Sequence, residues 1–72
     1  MEYADYVNEL ARTHPGIAAQ LSGWHGLESV LTWMHAQGLP PGSVDLVGQD
    51  EFEYDFLIDL ERGGRWLVFG VT

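Results

Sequence analysis

Hydrophobic residues recur along this chain with two periods, and the change between them falls at Val44. Before that point the spacing is helical. Tyr3, Tyr6, Val7, Leu10 and Ala11 follow the i, i+3, i+4 pattern of one buried stripe, with Glu2, Asp5, Asn8, Glu9 and Arg12 on the other side. An amphipathic helix is predicted over residues 3–12. His14-Pro15-Gly16 ends it, because the residue before a proline is pushed out of the helical region. Ile17 and Leu21 supply a sparse apolar side for a short helix over 15–21, started by Pro15 and broken at Ser22-Gly23. Leu27, Val30, Leu31 and Met34 predict a further helix over about 26–37, with Trp24 at its entry and Gly38 as the left-handed residue that closes it. The following LPPGS is a rigid connector.

From Val44 onward the period is two. Phe52, Tyr54, Phe56, Ile58 and Leu60 alternate with Glu51, Glu53, Asp55, Leu57, Asp59 and Glu61. That is a long strand with an aromatic-aliphatic face and an acidic face. Gly63-Gly64 separates it from RWLVFGVT and signals a hairpin. A two-residue glycine loop would pair Leu60 with Leu67, Ile58 with Phe69 and Phe56 with Val71, leaving one face wholly apolar. On the other side Val44-Asp45-Leu46-Val47 can pair through a Gly48-Gln49-Asp50 loop. Leu46 would then oppose Phe52, Val44 would oppose Tyr54, and Asp45 would oppose Glu53. The expected fold class is α+β (ααβββ): two or three N-terminal helices packed on one face of a C-terminal three-stranded antiparallel β-meander.

Seventy-two residues make one small acidic domain, 1–72, with a thin core. There is no cysteine, so disulfides, thiolate metal sites and cysteine nucleophiles are excluded. That suits a cytoplasmic location. The N-terminus has neither a basic region nor an apolar run of the signal-peptide kind, and no apolar stretch is long enough to span a membrane. Eleven acids face three arginines, for a formal charge of −8, and no lysine or arginine occurs between His14 and Glu61. Such a charge repels nucleic acid and anionic membranes and favours cationic partners.

Candidate chemistry is scarce. His14, His25 and His35 lack the i, i+4 spacing of a helical metal site, and solvated or capping histidines account for them. The run DEFEYD has carboxylates at alternating positions, but aromatics fill the gaps and no central glycine curves it around an ion. Ser22, Ser29 and Ser43 have no partners at nucleophile spacing, and phosphate-binding glycine loops are missing. Neither a cofactor nor a metal is expected, and the chain does not read as an enzyme.

The acidic strand face remains. Extended backbone would place Glu51, Glu53, Asp55, Asp59 and Glu61 along a line, with same-face residues about 6.6–6.8 Å apart and Asp45 beside them. Leu57 and Trp66 would share that face as apolar anchors. The expected role is an inhibitor-like protein-binding module, of the nucleic-acid-mimic, anti-CRISPR or immunity type. Its partner would be a basic protein surface such as that of a nuclease or nucleic-acid-binding protein. Solubility is the plainer reading of the same acids, in a structural or accessory domain. Finally, the last strand, residues 65–72, would be a bare sheet edge, open to homodimerisation.

Overall fold

The structure is a computed structural model and describes residues 17–72. Their elements run β1 (Ile17–Ser22), α1 (Leu27–Ala36), β2 (Pro41–Gln49), β3 (Tyr54–Leu60) and β4 (Arg65–Val71). The strands form one mixed sheet in the order β1-β4-β3-β2. β1 runs parallel to β4, while β2–β3 and β3–β4 are antiparallel. This corrects the expected three-stranded meander under two or three helices. The helix expected over 3–12 lies outside the described residues. Among the described residues there is one helix, and none is long and apolar enough to cross a membrane.

The short helix expected over 15–21 is instead strand β1. Six residues are too few to hold a helix without strong tertiary support. Extended, the segment hydrogen-bonds along β4, with Gln20 beside Leu67 and Leu21 beside Val68. Strand β4 is therefore interior, paired on both sides, and 65–72 offers no bare edge for a homodimer. The outer strands among the described residues are β1 and β2.

Helix α1 forms where its stripe places it. Val30 and Met34 are fully buried against the sheet. Its end is a Schellman turn: Leu39 N–H donates to the Met34 carbonyl at 2.8 Å and Gly38 N–H to the His35 carbonyl at 3.0 Å. Gly38 sits at φ 76°, a backbone region costly for other residues, and Leu39 folds back onto the core.

Both registers differ from those expected. Strand β3 pairs Phe56 with Val68, Leu57 with Leu67, Ile58 with Trp66 and Asp59 with Arg65. The shift from the two-residue-loop register is an odd number of residues, so β4 turns its other face to α1. Strand β4 is apolar on both faces, so its pattern cannot choose between them. The longer turn chooses instead, with Leu60 N–H bonded to the Gly64 carbonyl at 2.9 Å.

A bulge completes the arrangement. Between the Phe56–Val68 and Tyr54–Val71 pairs, Phe69 and Gly70 together face Asp55 alone. Gly70 takes φ 61°, and its N–H donates to Asp55 Oδ1 at 2.9 Å. The extra residue rotates Val71 onto the helix side while Phe69 stays on the other. Two apolar clusters result. Ile58, Leu60, Val68 and Val71 pack with Val30 and Met34 under α1. Leu57, Leu67 and Phe69, with Val47, form a second cluster on the opposite face.

Candidate functional site

The β2–β3 pairing brings Val44 opposite Ile58, Asp45 opposite Leu57 and Leu46 opposite Phe56. The pairs expected from a Gly48-Gln49-Asp50 loop are displaced by an even number of residues, so Val44, Asp45 and Leu46 keep their expected faces although their partners change. The turn itself is Asp50-Glu51-Phe52-Glu53, between Gln49 and Tyr54. Asp50 builds it. Its Oδ1 accepts the N–H groups of Phe52 at 2.9 Å and Glu53 at 2.8 Å, and its own N–H donates to the Glu53 carbonyl at 3.0 Å. This is the local side-chain turn that aspartate favours. The two backbone donors, Phe52 first, hold the Asp50 carboxyl below the ordinary aspartate range.

The acids of the expected ladder therefore occupy three settings. Glu51 and Glu53 are exposed on the turn and belong to no strand. Asp45, Asp55 and Asp59 alternate with the second apolar cluster on the sheet face away from α1. Of these, Asp45 is exposed on β2, Asp55 is half-buried and caps the bulge at Gly70, and Asp59 is half-buried beside Arg65. Arg65 Nε lies 3.3 Å from Asp59 Oδ2, the one ion pair recorded among the described residues. Glu61 is exposed in the β3–β4 loop.

The two expected anchors separate as well. Leu57 shares a face with Asp45, Asp55 and Asp59, but is only 6% exposed and belongs to the second cluster. Trp66 lies on the opposite face, toward α1, with its ring 6.3 Å from Trp33, whose ring lies 5.6 Å from Trp24. Its Nε1–H donates to the Gly63 carbonyl at 3.2 Å, which ties the tryptophan to the hairpin turn. The structure thus groups Asp45, Asp55, Leu57 and Asp59 on one face, sets Glu51, Glu53 and Glu61 in loops, and puts Trp66 elsewhere.

The turn borders a shallow groove of about 310 Å³ lined by Gly48, Gln49, Asp50, Glu53 and Asp55. Carboxylates dominate its polar groups. Among the described residues, however, no group of three or more acids and histidines is arranged to hold a metal ion. What the groove can offer is a field: several negative charges with Asp50 fixed by backbone donors. Asp50 was the residue that pattern reasoning passed over. Its signal was present, an aspartate in the expected Gly48-Gln49-Asp50 loop, but period two ended that loop at Asp50 and drew Glu51, Phe52 and Glu53 into the strand.

Comparison with protein-family models, with curated proteins and with solved structures gives no match.

Proposed function

We propose that this protein is a cytoplasmic, non-enzymatic acidic module that docks the β2–β3 side of its sheet on a basic surface of a partner protein. One observation carries the proposal. Seven of the chain's eleven acids fall between Asp45 and Glu61, in a stretch without lysine or arginine, and the recorded ion pair compensates only Asp59. Asp50, Glu51 and Glu53 are exposed together on the β2–β3 turn, and Asp45 is exposed on β2. A cluster of one sign raises association rates with oppositely charged partners and makes them salt-sensitive. The module would act as an inhibitor-like occupant of that basic surface. Nucleic-acid mimicry is not part of the proposal, because the straight carboxylate row that motivated it is broken into turn, face and loop positions.

The test uses the full chain immobilised, with a lysate of its source as analyte and mass spectrometry as readout. Basic proteins should be retained at low salt and released steeply as salt rises. The Glu51→Gln/Glu53→Gln variant should lose them while melting as wild type does. An identical set of retained proteins with an identical salt profile would assign the acids to solubility alone.

A further inference from the structure

The large hydrophobic side chains that stand open among the described residues are Leu46, Phe52 and Tyr54, at 52%, 74% and 39% exposure. All of them belong to the β2–β3 hairpin. Leu46 opposes Phe56 across the pair, and the Tyr54 ring stacks on Phe56 with centroids 6.4 Å apart and planes at 27°. Leu46, Tyr54 and Phe56 thus share the sheet face that α1 covers elsewhere; Phe56 is half-buried against the core, while Leu46 and Tyr54 stay exposed. Next to them is a hollow of about 270 Å³ lined by Gly26, Leu27, Tyr54, Phe56, Val71 and Thr72. Phe52 stands on the turn that closes the same hairpin. A small acidic protein leaves such side chains together in water when something is to cover them.

We infer that this apolar patch is a docking anchor for a short cationic amphipathic segment of a second protein. Leucine-class side chains of that segment would lie on Leu46, Tyr54 and Phe52, and its lysines or arginines on the acids beside them. The inference rests on the acidic-module proposal and names its anchor and partner form. Charge chooses the occupant. Asp50, Glu51 and Glu53 line a hollow together with Phe52 on the turn, and all four are exposed, whereas Asp45 points to the opposite sheet face from Leu46. A second copy of this chain would bring the same three turn carboxylates against themselves with −8 on each molecule. A neutral apolar segment would leave the acids uncompensated at a drying interface. A segment with both apolar and basic groups satisfies both halves of the surface.

A short leucine–lysine amphipathic peptide is the probe, with an oligolysine of equal charge as control, titrated into the isotope-labelled full chain by NMR. The amphipathic peptide should saturate with its largest amide shifts at Leu46, Phe52 and Tyr54. It should bind about tenfold more weakly to Phe52→Ala, an exposed truncation that spares the fold. Oligolysine should shift only Asp50, Glu51 and Glu53, weakly and with strong salt dependence. If both peptides bind alike, or the shifts map to α1 instead, the anchor is overturned while the acidic-module proposal stands. If neither binds at low salt, both fall. Sedimentation of the free protein supplies the remaining outcome. Self-association abolished by Phe52→Ala would make the patch a homodimer contact and overturn the cationic partner.

Discussion

The two hairpins of the sheet share strand β3, yet one is closed and the other open. The β3–β4 hairpin lies between two apolar clusters, with Ile58, Leu67 and Val68 wholly buried, and its glycine turn is held by the Leu60 N–H and the Trp66 indole. The β2–β3 hairpin has an outer strand, a turn fixed by one carboxylate, and Leu46, Phe52 and Tyr54 in water. The closed hairpin spends its apolar residues on the core of a small domain, where no spare cover exists. The open one keeps apolar residues and acids together at the surface. An apolar residue in the first is therefore a stability element, and the same residue type in the second is an interaction element.

Paired substitutions break or sharpen this contrast. Leu67→Asp puts an unpaired charge at a fully buried site and should abolish the cooperative thermal transition. Phe52→Asp, at the most exposed hydrophobic position, should melt within about 4 °C of wild type. Circular dichroism melts of the two variants decide it. Two similar melts, in either direction, would dissolve the distinction between closed and open hairpins.

The next effect separates the residues that pattern reasoning chose as anchors from those the structure exposes. Leu57→Ala should destabilise the domain by about 2–5 kcal/mol, because it empties part of the second cluster. Leu46→Ala should change stability by less than about 1 kcal/mol, since half of the side chain is already hydrated. Chemical denaturation with unchanged m-values measures both. A Leu57→Ala variant of wild-type stability would return Leu57 to the list of surface anchors.

The same residues show what was legible beforehand. The alternation of Tyr54 through Leu60 fixed which side chains of β3 share a face, and helix α1 was readable from Leu27, Val30, Leu31 and Met34. The pairing partner was not readable. WLVFGV is apolar at every side-chain-bearing position, so a slip of three costs nothing in pattern, and only the turn geometry and the Gly70 bulge settle it. Strand β1 was misread because AAQL suits a helix and its strand state comes from a neighbour far along the chain. The need for that neighbour was nevertheless visible. A β4 edge uncharged after Arg65 demanded cover, and β1 supplies it from within the chain. Within the candidate site, the concentration of acids was legible, but their alignment was not, because the Asp50 turn holds Glu51 and Glu53 outside β3, which starts only at Tyr54.

Smaller effects test the bulge on which β4 changes face. Asp55→Ala leaves the Gly70 N–H without its acceptor in a half-buried position and should cost about 1–3 kcal/mol. Asp55→Asn retains an oxygen there and should recover most of the loss. Gly70→Ala forces a side chain onto φ 61° and should cost about 1–2 kcal/mol by itself. The position has room, the nearest atom to an added Cβ being Glu53 Oε2 at 3.5 Å, so backbone conformation rather than a clash sets the cost. Equal stability of Asp55→Ala and Asp55→Asn would remove the hydrogen bond from the account.

The smallest effect belongs to the open hairpin and concerns pH. The Asp50 carboxylate accepts two hydrogen bonds, from the Phe52 and Glu53 N–H groups, and both favour its ionised form. Its folded-state pKa is thereby lowered from the ordinary 3.8. A lowered carboxyl pKa means that the unfolded chain binds the proton more readily than the folded one. The stabilisation is complete above the ordinary pKa and disappears as the pH falls through the lowered one. Acidification should accordingly loosen the turn only as the pH falls through the lowered Asp50 pKa. The amide resonances of Phe52 and Glu53 should report the Asp50 titration at that lowered midpoint. Asp50→Asn keeps an acceptor oxygen but cannot ionise, so the titration seen by those two amides should vanish while their hydrogen-bonded shifts persist. An Asp50 midpoint at or above the ordinary aspartate value would show that the turn is not held by its carboxylate, and Phe52 would lose the fixed platform from which the anchor is argued.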